Sequence, residues 1–217
     1  MNRGRRVCES IHLVTLGLWL GVLVMTGVAA AVLFPTIKAL DPRLPEYAAF
    51  TGEHWSLAAG RVAATLFFVC DAVQFAGALI AGVTLGLSIL LFGLPARSLA
   101  TACRAGLIVI IVGVLSYQFI MLAPDMNRNL AAYWTAAKGG DNSAAATFKA
   151  AFDAKHPLAR NLLAVDALLV VASFVLAAWS ATGLAREQPE AAGGPERERI
   201  EEPLLASRPP LSAGGRF

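Results

Sequence analysis

Two aspartates stand alone in otherwise uncharged apolar stretches. Asp71 is the one ionised group between Val62 and Leu94, and Asp166 the one between Leu162 and Leu184. An ionisable side chain in such a setting is costly and points to function by default. Gln74 follows Asp71 by three residues, so both fall on one helix face. Tyr117 and Gln118 lie toward the end of a third uncharged stretch, and His54, Arg61, His156 and Arg160 flank the same side. Two carboxylates in low dielectric can bind a cation or share a proton. Equally, they can pair with Arg61 and Arg160 as structural glue, line a substrate pocket, or reach water near a helix end.

A second constellation holds Cys8 and His12, spaced i and i+4 on one helix face, with Cys103 at the same side of the chain's later course. Thiolate and neutral imidazole suit soft or borderline metals. Two ligands at this spacing also read as interfacial packing, and neither CxxC nor HExxH accompanies them. Cys70 reads as packing. Three cysteines in this pattern suggest reduced thiols rather than a disulfide framework. No Ser/His/Asp set, phosphate loop or dinucleotide fingerprint appears, so an enzyme ranks last among the function classes.

These residues need elements to hold them, and composition says which. Of 217 residues, 57% are hydrophobic and 15% charged, and the mean hydropathy is +0.61. A soluble domain is nearer ~45–50% apolar and ~25% charged. A cytosolic enzyme, a disordered chain and a nucleic-acid binder are all disfavoured, and the net charge of +3 bears on membrane orientation rather than on polyanion binding. Four stretches reach the roughly 20 residues a membrane-spanning helix needs, at about 11–34, 62–94, 105–123 and 162–184. Pro35 and Pro124 close the first and third. The first is longer than the ~7–15 residues of a signal-peptide core, so it reads as an uncleaved span.

The expected fold is all-α: a polytopic membrane protein whose four transmembrane helices form an up-down bundle. A basic N-terminus precedes it at 1–10, the bundle covers 11–184, and a disordered C-terminal tail rich in Glu, Arg, Pro and Gly covers 185–217. Compact basic clusters at Arg3, Arg5 and Arg6, at Arg97 and Arg104, and in the tail place both termini in the cytoplasm, with a bacterial inner membrane as the default. The loop at 125–161 reads as two short Ala-rich amphipathic helices around Gly139 and Gly140, with Tyr133, Trp134, Phe148 and Phe152 lying on the membrane or the bundle. Antiparallel order then gathers Asp71, Gln74, Tyr117, Gln118 and Asp166 in one half of the membrane. His12 falls in the other half, roughly 25 Å from Asp166 at 1.5 Å per residue. Gly17/Gly21 and Gly82/Gly86 form GxxxG seams, which serve internal packing or a homo-oligomer.

The pattern His12, Trp19-Leu20-Gly21, Phe34-Pro35, then Phe148, Phe152, His156 and Arg160-Asn161-Leu162-Leu163 resembles the four-span family catalogued as domain of unknown function 4149, which is similar to transmembrane protein 205. The resemblance runs from about Ser10 to Leu184 and implies a small integral membrane protein, non-enzymatic, in a scaffold or transport-accessory role. The opening His-Trp-Gly pattern also resembles the first span of copper-resistance protein D and of HemJ-type protoporphyrinogen oxidase. That likeness implies a copper- or haem-handling role with His12 as ligand. The HemJ-type pattern has a Lys within a later span, where this chain has none.

Overall fold

The computed structural model describes residues 3–186, and they are helical with no strand among them. The elements are α1 (Arg3–Leu40), a 3-10 turn (Pro45–Tyr47), α2 (His54–Leu90), α3 (Leu99–Tyr117), a π-turn (Gln118–Leu122), α4 (Ala123–Lys138) and α5 (Asn142–Arg186). Four stretches are long and apolar enough to cross a membrane: α1, α2, the α3–α4 run and α5. The tail expected to be disordered lies, from residue 187 onward, outside the described residues. The chain divides into two compact units, Met1–Ala178 and Trp179–Phe217. In the second, the described part is the end of α5, where the Thr182 hydroxyl bonds the Trp179 carbonyl at 3.0 Å.

In the first unit the usual globular pattern is inverted. Outward-facing positions are large and apolar, including Leu18, Met25, Phe68, Phe75, Val109 and Leu168, while Glu9, His12, Gln74, Arg104, Asp166 and Ser173 are buried. Lipid is as apolar as leucine, so the outside needs no polar face and the inside can take polar groups that find partners. The buried face of α1 recurs at helical spacing through His12, Leu16, Trp19, Leu23 and Thr26. On α5 the matching face is Asp166, Val170, Ser173 and Ala177. Leu16, Trp19, Leu23, Cys70, Ala81, Ile108, Ile111, Leu115 and Val170 close into one core.

Close approach of α1 and α2 rests on Gly77. A Cβ there would lie 2.9 Å from the Trp19 ring, so only glycine lets the indole seat against the α2 backbone. The two GxxxG seams divide by position. Gly17 faces Phe174 at 3.5 Å and Gly82 faces Ile108 at 4.0 Å, whereas Gly21 and Gly86 have nothing within 4 Å.

Proline stops the helices less than expected. Pro35 lies inside α1 and Pro157 inside α5. Each removes one N–H and frees the carbonyl four residues earlier. Both prolines are exposed and lie toward the ends of the apolar stretches, where water can satisfy that carbonyl. At Pro124 the helix widens instead. The π-turn lets the Ala123 N–H reach the Gln118 carbonyl, and Pro124 then takes a first-turn position of α4 that needs no donor. Thus α3, the π-turn and α4 form one continuous rod, and the expected second amphipathic helix is the first part of α5.

Beyond the apolar stretches the connections fold into a cap. Tyr47, Phe50, Leu57, Tyr133, Ala137 and Ala145 form a second buried cluster, with Trp134 and Phe148 packed on it. Tyr133 and Trp134 therefore face cap residues. The turn between α4 and α5 uses Gly140 at φ +78°, where a Cβ would meet that of Ala49 at 2.8 Å. The Asp141 carboxylate then caps α5 through the Ala144 N–H at 2.9 Å.

Candidate functional site

The bundle has two ends, a basic end carrying Arg3 and the α2–α3 connection, and a cap end. The carboxylates lie toward the cap end. Asp166 is fully buried, and its Oδ2 accepts from the Gln118 amide. Gln118 is the first residue of the π-turn, so the widened turn sets where that amide lies along the rod. Gln74, also fully buried, donates to Asp71 Oδ1 at 3.4 Å. Two oxygens of this set, Asp166 Oδ1 and Gln74 Oε1, are buried without a hydrogen-bond partner.

Of the residues expected to gather here, Gln74 and Asp71 form one glutamine–aspartate pair and Gln118 and Asp166 another. Tyr117 is 47% exposed and faces outward. The expected counter-charges are placed elsewhere. Arg61 bonds the Tyr47 hydroxyl at 2.5 Å and stacks over the Tyr47 and Trp134 rings at 5.8 and 5.2 Å. Arg160 is exposed. Among the described residues, no salt bridge reaches Asp71 or Asp166.

The two flanking histidines differ. His54 is buried in the cap, accepting the Leu44 N–H at Nδ1 (3.0 Å) and bonding the Phe50 carbonyl through Nε2 (3.1 Å). Because the carbonyl can only accept, Nε2 carries the proton, and the neutral ring ties the first cap loop to α2. His156 is exposed, with its ring 5.5 Å from that of Phe152.

At the basic end a residue outside the expected set joins the site. Glu9 takes both terminal nitrogens of Arg104, Nη2 to Oε2 at 2.8 Å and Nη1 to Oε1 at 3.2 Å. Arg104, expected in a basic connection, is only 2% exposed. One helical turn deeper, His12 bonds through Nδ1 to the Ala81 carbonyl and the Thr84 hydroxyl, both at 3.1 Å. The Thr84 hydroxyl also donates to the Ile80 carbonyl at 2.8 Å. The Ala81 oxygen can only accept, so Nδ1 holds the proton and Nε2 keeps its lone pair. Cys8 and Cys70 are buried free thiols and Cys103 is an exposed one. No group of three or more His, Cys, Asp or Glu suited to a metal ion occurs among the described residues.

The cap carries its own ionic tie. Lys155 donates to the Asp125 carboxylate and holds it below the usual carboxylate range. Burial pushes the Tyr133 phenol up from its ordinary value. A surface cleft of about 290 Å³ lies between Phe50, Glu53, Ser56, Tyr133, Asn142 and Lys149. Several of its polar groups already engage one another or near neighbours: Tyr133 with Ser56, Asn142 with the Thr51 N–H, and Lys149 with Asp153.

The chain matches no protein-family model, no curated protein and no solved structure.

Proposed function

We propose that this chain is a small, non-enzymatic integral membrane protein that takes up and releases a proton at Asp166, in a scaffold or transport-accessory role. The observation that carries this reading is a fully buried carboxylate with one partnered and one unpartnered oxygen and no ion-pair partner among the described residues. A carboxylate in an apolar bundle needs a positive partner, a cation or a proton. Arg61 and Arg160 are placed elsewhere. A hard metal cation takes about six oxygens or more, and the free oxygens described here are fewer, which favours the proton. The experiment is a count of protons released by detergent-solubilised protein on a pH jump. The wild type releases one more than Asp166→Asn; equal counts contradict the reading.

His12 supports a second reading, copper or haem handling. Its Nδ1–H is fixed by a backbone carbonyl, which orients the ring and leaves Nε2 as a ligand. Among the described residues nothing beside it completes a closed metal centre, so His12 is the one residue that would hold the group. A Soret band or stoichiometric copper that disappears in His12→Ala supports this role, and a clean wild-type sample contradicts it.

The resemblance to the domain of unknown function 4149 family stands as the proposed family. Basic residues at one end, Arg3, Arg5, Arg6 and Arg97, support a cytoplasmic placement of both termini in a bacterial inner membrane. The open faces at Gly21 and Gly86 leave room for a second copy, so the proposed partners are lipid and a homo-oligomer.

A further inference from the structure

A cleft of about 440 Å³ opens between the end of α1 and the start of α2, bordered by Lys38, Asp41, Arg43, Glu53, His54 and Trp55. That size falls within the roughly 300–1,000 Å³ of small-ligand sites. Its level relative to a bilayer follows from the chain itself. The first apolar stretch ends at Phe34, and Lys38 lies four residues further along α1, about 6 Å at 1.5 Å per residue. The polar layer on each side of a ~30 Å hydrocarbon core is roughly 5–8 Å deep, so Lys38 stands in the headgroup layer. Its ammonium lies 5.2 Å from the centre of the Trp55 ring, which brings the start of α2 to the same level. Tryptophan favours that layer. Outward-facing Val32 on α1 and Val62 on α2 begin the lipid-facing surface on the midplane side.

The charges at the cleft balance, with Lys38 and Arg43 as cations and Asp41 and Glu53 as carboxylates. None is committed to a strong internal partner. Among the described residues no salt bridge reaches Lys38 or Glu53. Glu53 holds the N-cap position of α2 yet makes no capping bond with its side chain. Asp41 and Arg43 approach to 3.9 Å with side chains 62% and 82% exposed, a loose and solvated pair that contributes little. Buried His54 has both ring nitrogens bonded to backbone and supplies a neutral wall. Two cations and two carboxylates suit a ligand that itself carries one negative and one positive group.

We propose that this cleft binds the headgroup of a phospholipid bearing a primary amine, with the phosphate on Lys38 and Arg43 and the ammonium on Glu53 and Asp41. A primary ammonium offers three N–H donors to carboxylate oxygens, and such charge-assisted bonds are the strong ones. A quaternary ammonium has no N–H to give and favours an aromatic face, but Lys38 already occupies a face of Trp55. A headgroup with a phosphate alone leaves Glu53 unpartnered beside a like charge. The proposal rests on the reading of the chain as an integral membrane protein with lipid as a partner, and not on Asp166.

The test titrates the full chain in mild detergent with dioleoyl phosphatidylethanolamine, phosphatidylcholine and phosphatidylglycerol, and counts bound lipid by native mass spectrometry. The ethanolamine lipid should bind about tenfold more tightly than the other two. Glu53→Gln should remove its advantage over the choline lipid. Lys38→Gln combined with Arg43→Gln should weaken its binding about tenfold. All three side chains are exposed, so these variants keep the fold. Equal affinity of the wild type for the three lipids overturns the proposal, as does a Glu53→Gln variant that keeps the ethanolamine preference. Free phosphoethanolamine binding as tightly as the lipid would make the ligand a soluble ester and overturn it as well. Alkaline carbonate washing of membranes that contain the chain separates the two readings. A chain retained there without lipid preference loses the headgroup site alone, and a chain washed off loses the membrane reading with it.

Discussion

Glu9 and Arg104 close a two-pronged ion pair between α1 and α3, at 2.8 and 3.2 Å, with both side chains buried. The two helices run in the same direction, so residues near their starts meet at the same end of the bundle. Removing one partner leaves an uncompensated buried charge, which costs ~3–5 kcal/mol. Glu9→Gln and Arg104→Met should each lower the thermal midpoint in detergent by a large margin. The double variant should recover part of the loss. A double variant as unstable as the sum of the singles would contradict the pairing.

Gly77 and Gly86 share α2 but should respond oppositely to alanine. At Gly77 the new methyl meets the Trp19 ring at 2.9 Å, while at Gly86 it meets open space. Overpacking costs ~1–3 kcal/mol, and alanine is the better helix former by ~1 kcal/mol. Gly77→Ala should therefore destabilise the bundle and Gly86→Ala should not. If a second copy docks at Gly86, Gly86→Leu should also shift the oligomer toward monomer in sedimentation.

His54 bridges a backbone donor and a backbone acceptor of the first cap loop. His54→Ala leaves the Leu44 N–H and the Phe50 carbonyl without that partner, at ~1–3 kcal/mol for each group that stays buried. Hydrogen exchange should rise over residues 44–53 while the apolar stretches keep their protection. Unchanged exchange in that loop would show that the ring is not the tie.

The cap should have a pH window. Lys155 depresses the Asp125 carboxyl, so its contribution is present above the ordinary value of 3.8 and is lost as pH falls below it. Burial raises the Tyr133 phenol, so its neutral form favours the folded cap below pH 10.0 and that contribution is lost as pH rises further. Tyr133→Phe should weaken the alkaline loss and leave the acid loss in place. Tryptophan fluorescence from Trp134, packed in the same cluster, follows both limits.

Hydropathy made the four spans legible because lipid demands a minimum apolar length. The polar pairs were legible in part: Gln74 follows Asp71 by three residues on one helix face, and Gln118 of one apolar run bonds Asp166 of another. Rotation about the helix axis was not: Tyr117 and Gln118 are neighbours, yet one faces out and the other bonds Asp166. The π-turn that carries Gln118 leaves no periodic signature beyond Pro124 six residues on. Pro35 misled because a proline near a span end can shed its orphaned carbonyl to water. Glu9 was missed because it precedes the uncharged stretch. The available signal was a lone acid and a lone base, Glu9 and Arg104, at the starts of two parallel spans.

The most direct measurement is difference infrared spectroscopy of the wild type and Asp166→Asn across a pH titration. The protonated carboxyl of Asp166 should give a carbonyl stretch that changes with pH, shifts in heavy water, and is absent from Asp166→Asn. A wild-type spectrum identical to that of Asp166→Asn would mean that Asp166 holds no exchangeable proton, and the proton-handling role would fall with it.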